Sequence, residues 1–392
     1  MGSELALERY LAAARAMPFD GDAAREAARA LLDVSAGAPL ADARRVIASL
    51  ASDIDRDAES LVLSVVMSGA LVERGVPGGE LERVLFPRIA RWLSDGVAQL
   101  DQLLADHPPE SRGEADDEVD ENEWVGIRLC DERAWVLIGE THLAAVALLG
   151  ADAGARKNQR GLLPALRRLE PYHPGAAWLR QILDVLDDEP IIVIDVARRT
   201  GARGTMTGVA SNFELFVLIA HAAANLELPR PPEAAVRCLL GQGAQDSGIV
   251  VETAFNAYAY SALGEHERLP EPSDYGGSAH WIWGEGEPWE IPALDGTRVV
   301  LIGPPSYARL VPAQRTFAAL RAELRLEPLP ADDVAGWLAR IARAQANCGR
   351  PGPRRTSAWA SLLCPDRTPF LATIASWEGR AYRSPVSPNE ED

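Results

Sequence analysis

Apolar side chains recur every three or four residues from residue 4 to about residue 106, the spacing that gathers them on one face of an α-helix. Leu5, Leu7, Tyr10, Leu11 and Ala14 make the first such face. Leu31, Leu32 and Val34 close a second helix, and a third runs from Ala41 to Ala51. Ser60 to Arg74 is apolar almost all round, which marks a buried central helix. Gly75 ends it, with Pro77 two residues on. A fifth helix starts near Glu80 and is expected to kink at Pro87, where the ring removes a backbone donor. Helix starts recur every 17 to 22 residues, but no self-similar residues accompany that spacing, so it is no sequence repeat.

Residues 109–123 break the pattern with eight acidic side chains and one arginine, an acidic linker or loop that self-repulsion keeps solvated. A second helical segment, 124–188, follows with helical periodicity over Leu137 to Leu149, Leu162 to Leu169 and Ala176 to Leu186. The texture then changes. Ile191-Ile-Val-Ile-Asp-Val is a β-branched run, a glycine-rich turn is expected at Gly201 to Gly204, and a strand through Thr205 and Val209 would close a hairpin. Asn212 to Asn225 reads as a helix, Ile249 to Tyr260 as β-rich, and Ser278 to Trp283 and Arg298 to Ile302 as strands. Pro312 to Leu326 and Ala331 to Ala346 read as two further helices. The fold class is therefore α+β: an all-helical N-terminal domain (1–108), the linker, the second helical segment, and a mixed α/β domain (189–346) with a small sheet. A proline- and arginine-rich tail (347–392) carries Trp359 and Trp377 and is expected to dock in part.

Composition narrows the chemistry. With 57 acidic against 39 basic side chains the net charge is −18, which disfavours nucleic acid and anionic membranes as partners. Lys157 is the only lysine, so there is no phosphate loop ending in Gly-Lys-Ser/Thr, and a Schiff-base enzyme would have that one amine. Cys130, Cys238, Cys348 and Cys364 lie far apart, and the N-terminus lacks a secretory pattern. The most apolar stretch, Leu61 to Val72, is too short to span a bilayer, which takes about 20 residues. The chain reads as soluble and cytoplasmic, with reduced thiols.

No nucleophile elbow, no His-Glu-x-x-His and no complete dinucleotide fingerprint occurs, and no cofactor or metal is expected; Gly241-Gln-Gly-Ala-Gln-Asp fails at its third glycine. Glu214 and His221 share a helix face, yet seven residues rise roughly 10.5 Å, too far to share one proton. A surface Glu and a packed His are the expectation there. Trp281 and Trp283, two apart on a strand, point to one side with Ile282 opposite. Either the two rings fill a core while Ile282 faces out or packs beneath a helix, or they form a ledge for a ligand, bordered by Glu285 and Glu287. Gly284 and Gly286 fit a close backbone approach or a plain tight turn equally.

Several motifs resemble those of a widespread group of bacterial proteins of unassigned activity. They are His173-Pro-Gly-Ala-Ala-Trp178, Leu186-Asp-Asp-Glu-Pro190, Gly208-Val-Ala-Ser-Asn-Phe213, Phe255-Asn256, Trp281-Ile-Trp-Gly-Glu-Gly286 and Gly303-Pro-Pro-Ser-Tyr307, together covering residues 60 to 345. Within that group the chain is similar to the peptide-binding proteins of crocagin biosynthesis, a ribosomal-peptide natural-product pathway. Ser211 departs from the pattern, which carries an acidic residue before the asparagine. The resemblance implies a non-catalytic accessory protein that binds the precursor peptide and helps an oxidative tailoring enzyme. An oxygenase or a homologous binding protein would be its further partner. The expected peptide-binding residues are Asn212, Phe213, Asn256, Trp281, Trp283, Glu285 and Tyr307, beside an open sheet edge to which the peptide adds a strand. Two other readings remain at this point: a hydrolase or transferase with a site near Asn212, His221 and Glu285, and a helical scaffold for partner proteins.

Overall fold

A computed structural model describes residues 2–14, 21–36, 38–56, 61–108, 120–270, 280–305 and 309–347. Its fold is α+β, with helices first and a small mixed sheet after them. The chain divides into two units between Val46 and Ile47. In the first, α1 (Ser3–Ala14) and α2 (Gly21–Ala36) pack together, with Tyr10, Leu31 and Leu32 buried.

The second unit begins within α3 (Leu40–Arg56). α4 (Leu61–Glu73) is buried along most of its length, as its all-round apolar sequence predicts, and Gly75 follows it at φ +91°. α5 (Gly79–Asp106) continues through Pro87 as one hydrogen-bonded helix. α6 (Glu121–Leu129) starts inside the range expected to be a loop, because the Asp120 side chain accepts from the Asn122 N–H and caps it. α7 (Arg133–Ala151) lies against α4 and α5. It, and not Leu61–Val72, is the one helix among the described residues long and apolar enough to cross a membrane; 67% of it is buried inside the protein, as in a core helix. α8 (Ala153–Gln159), α9 (Leu163–Leu169) and α10 (Pro174–Asp184) complete the helical part.

The strands are β1 (Glu189–Asp195), β2 (Thr200–Thr207), β3 (Asp246–Glu252), β4 (Asn256–Ala259), β5 (Ala293–Leu294), β6 (Thr297–Gly303), β7 (Leu310–Gln314) and β8 (Glu323–Pro328). Six of them form one sheet in the order β4-β6-β1-β2-β8, with β5 on β6, while β3 and β7 make a separate antiparallel ribbon. β1 and β2 form the predicted antiparallel hairpin, but the turn is at Val196 to Arg199, and Gly201 and Gly204 lie inside β2. Gly204 serves close approach: a Cβ there would stand 1.7 Å from the Arg325 carbonyl oxygen on β8.

Alternation along the strands sorts the core into two layers. Ile191, Val193, Ala202, Met206, Val300 and Ile302 face α11 (Asn212–Ala222) and α12 (Glu233–Leu239). Ile192, Ile194, Val299 and Leu301 face α13 (Ala331–Asn347). The helix expected over Pro312 to Leu326 does not exist. Those residues supply most of β7, a connecting turn and part of β8, because Phe317 and Leu320 are drawn into the core and Arg315 holds the turn. The Arg315 guanidinium, itself buried, donates to the carbonyls of Cys238 and, at 3.1 Å, Ala318. Tertiary contacts override helical propensity here.

Candidate functional site

α11 starts where it does because Ser211, its N-cap, accepts from the Glu214 N–H at 3.3 Å. The next two donors of the helix are taken by a loop from far along the chain. Asn212 N–H bonds to the Gly286 carbonyl (2.9 Å) and Phe213 N–H to the Gly284 carbonyl (3.0 Å). The Asn212 side-chain amide adds a bond to the Trp283 carbonyl at 2.8 Å. Gly284 is required, since a Cβ there would lie 2.0 Å from the Phe213 ring. The two motifs of the sequence, Ser-Asn-Phe and Trp-Ile-Trp-Gly-Glu-Gly, are thus halves of one structural joint. Asn212 Oδ1 is left buried without a hydrogen-bond partner, on a residue only 2% exposed.

The far end of the loop is fixed electrostatically. Arg180 on α10 donates to Glu287 (2.8 Å), Glu170 (2.6 Å) and Asp184 (3.3 Å), and the Trp289 indole N–H also donates to Glu287 (2.5 Å). Burial alone would lower the Arg180 pKa, but Glu287 and Glu170 more than offset it and raise it further. Burial pushes the Glu287 carboxyl up, with Arg180 opposing.

Just before these anchors the chain presents its rings. Ile282 donates its N–H to the Ala257 carbonyl on β4, and its side chain enters the core beside α11. Trp281 and Trp283 therefore leave on the other side, with ring centroids 5.2 Å apart. Trp281 is half-buried, edge-on to Tyr258 at 6.4 Å. Trp283 is 40% exposed, the only exposed tryptophan among the described residues. The structure mixes the arrangements open from the sequence: Ile282 packs in the core beside α11, Trp281 packs half-buried against the other core layer, and Trp283 is exposed.

Arg309, which the sequence did not single out, completes the surface. Its guanidinium lies 5.2 Å over the Trp281 ring and donates to Asn256 Oδ1 at 2.6 Å. It also leads into the β3–β7 ribbon, whose outer face exposes Val250 (57%) and Leu310 (69%). Asn256 is thus engaged in aiming the arginine. Glu285 is exposed on the loop. Asn212 and Phe213 sit beneath the loop and hold it. Tyr307 lies outside the described residues.

The Glu214–His221 expectation is inverted. Glu214 is the buried partner, accepting from the backbone of Ala210 (3.0 Å) and Thr316 (3.2 Å), and burial raises its pKa against those bonds. His221 is exposed at the other end of α11. Nine residues of helix put Asn212 and His221 roughly 13.5 Å apart along the axis, so Asn212, His221 and Glu285 form no common catalytic cluster. Among the described residues no group of three His, Cys, Asp or Glu side chains is arranged to hold a metal ion. Compared with protein-family models, curated proteins and solved structures, the chain matched none.

Proposed function

We propose that this chain is a non-catalytic, cytoplasmic peptide-binding protein that seats the precursor peptide of a crocagin-like ribosomal-peptide pathway and presents it to an oxidative tailoring enzyme. One observation carries the reading: Trp283 stands exposed against the half-buried Trp281, on a segment held by Ile282 N–H on β4 and by the Gly284 and Gly286 carbonyls on α11. A rigid aromatic surface that costs little entropy to engage is what a recognition anchor requires. Glu285 beside it, within a chain of net charge −18, favours a peptide segment bearing basic side chains. Asn212 and Phe213 act by positioning the loop.

Calorimetric titration with a synthetic copy of the proposed precursor peptide tests the proposal. Loss of a central tryptophan anchor costs about 2 kcal/mol or more, roughly 30-fold in affinity. Trp283→Ala should show that loss, whereas Ile127→Ala, at a side chain 60% exposed on α6, should not. Absence of binding at high micromolar peptide, or equal binding by both variants, refutes it.

A further inference from the structure

The tryptophan pair and the open edge of the sheet are at opposite margins. On the β4 side the chain's own Trp281–Ile282 segment already bonds to the strand, through the Tyr258–Trp281 bridge. Among the described residues the free margin is β8, four strand steps from β4, or roughly 19 Å at about 4.8 Å per step.

Pro328 fixes which backbone groups of β8 are free. It pairs with Ala202 but has no N–H, so that pairing rests on its neighbours, and Leu329 N–H does donate to the Gly201 carbonyl at 2.8 Å. The β2–β8 register has no shift, so alternation turns the backbone groups of Glu323, Arg325 and Glu327 toward β2. Those of Leu324 and Leu326 point outward, and among the described residues no group bonds to their N–H or C=O. The missing donor of Pro328 also falls on the outer side, where a proline is tolerated.

The side chains alternate in the same way. Leu324 and Leu326 pack toward α11 and α12, while Glu323, Arg325 and Glu327 stand exposed on the other face as a negative–positive–negative row. Beside Leu324 is a cleft of about 420 Å³. Its floor includes Leu218, Leu240 and Leu324, and its rim includes His221, Gln242 and Arg321. That volume lies within the range of ligand pockets.

We propose that the open edge of β8 and this cleft form a second peptide site. It takes an extended segment, antiparallel to β8, with cationic, anionic and cationic residues at alternate positions and apolar residues between them. The outward amides and carbonyls of Leu324 and Leu326 supply the strand bonds. The charged residues of the segment lie opposite Glu323, Arg325 and Glu327, and its apolar residues lie on the cleft side. The choice of a peptide as partner rests on the peptide-binding reading above. The two sites are nevertheless separable, because a Trp283 variant leaves β8 untouched.

The probe is acetyl-Val-Lys-Leu-Glu-Leu-Lys-Val-amide, titrated into the full chain with hydrogen exchange as a second readout. Binding should slow exchange at Leu324 and Leu326 and should be the same in Trp283→Ala. N-methylation of the two leucines, whose N–H groups face β8, should weaken it at least tenfold, whereas N-methylation of the central glutamate should not. Leu326→Pro, which removes an outward donor and no β2 bond, should abolish it. Arg325→Glu should weaken it about tenfold, and a peptide with lysine in place of the central glutamate should regain the loss. No binding at millimolar probe, equal binding of the two N-methylated peptides, or loss of binding in Trp283→Ala overturns the proposal. So does a concentration-dependent dimer that Leu326→Pro dissolves, which would assign the edge to a second copy of this chain.

Discussion

Replacing Gly284 by alanine tests the joint that holds the tryptophan loop on α11. The new Cβ would lie 2.0, 2.2 and 2.5 Å from three carbons of the Phe213 ring. Carbon atoms rest at about 3.5–4.0 Å, so ring or loop must retreat by about 1.5 Å. Overpacking of that kind costs about 1–3 kcal/mol. Retreat also strains the bonds from Phe213 N–H to Gly284, from Asn212 N–H to Gly286 and from the Asn212 amide to Trp283, each contributing about 0.5–1.5 kcal/mol. Some of that strain will relax, so the expected loss is about 2–4 kcal/mol in guanidinium unfolding, with weaker peptide binding. Gly336→Ala is the matched control. Gly336 is exposed inside α13 with nothing within 4 Å of a Cβ, so the same change should stabilise by about 0.5–1 kcal/mol. A Gly284→Ala protein within about 0.5 kcal/mol of wild type would refute the joint.

Three further outcomes are expected. Arg180→Met strands Glu287 and Glu170 without their shared cation, while Asp184 keeps Arg167, and should cost about 3–5 kcal/mol at pH 8. Burial already raises the Glu287 pKa, so the carboxyl takes up a proton as pH falls, and the loss at pH 5 should be clearly smaller; equal denaturant midpoint shifts at both pH values would contradict this. Glu73, at the C-terminal end of α4, has its pKa pushed up by burial to about 7. A raised carboxyl pKa gives stability that is fully present below about 4.5 and lost as pH rises through 7. Glu73→Gln should therefore be more stable than wild type at pH 8, by on the order of 1–3 kcal/mol, and no more stable at pH 4; a pH-independent difference would refute the assignment. In Ser211→Ala the lost N-cap should cost about 1 kcal/mol by chemical unfolding, and no change would show that the loop carbonyls alone hold the helix start.

Most of the N-terminal helices and the pairing of β1 with β2 are legible in the sequence because their signals are local, apolar spacing and a β-branched run, although the hairpin turn falls at Val196 to Arg199 and the aspartate that caps α6 lies in a stretch that reads as a loop. The placement of Trp281 and Trp283 opposite Ile282 is half legible. Strand alternation separates them from Ile282, but only the core beside α11 decides which side is inside. β8 is hidden in the sequence because Ala318 to Leu326 is rich in helix formers, although Glu323-Leu-Arg-Leu-Glu alternates with a period of two. The burial of Glu214 leaves no local mark, since one of its partners, Thr316, is 102 residues away. Arg309 is likewise visible only after β4 and the tryptophan loop have come together.

Fluorine NMR of the full chain carrying 5-fluorotryptophan, with the Trp283 line assigned by Trp283→Phe, reads the exposed ring directly. On titration with the precursor peptide the Trp283 line should move and saturate, while those of the buried Trp92, Trp124 and Trp135 stay in place. Saturable peptide binding with an unmoved Trp283 line would show that the aromatic ledge is not the seat of the peptide.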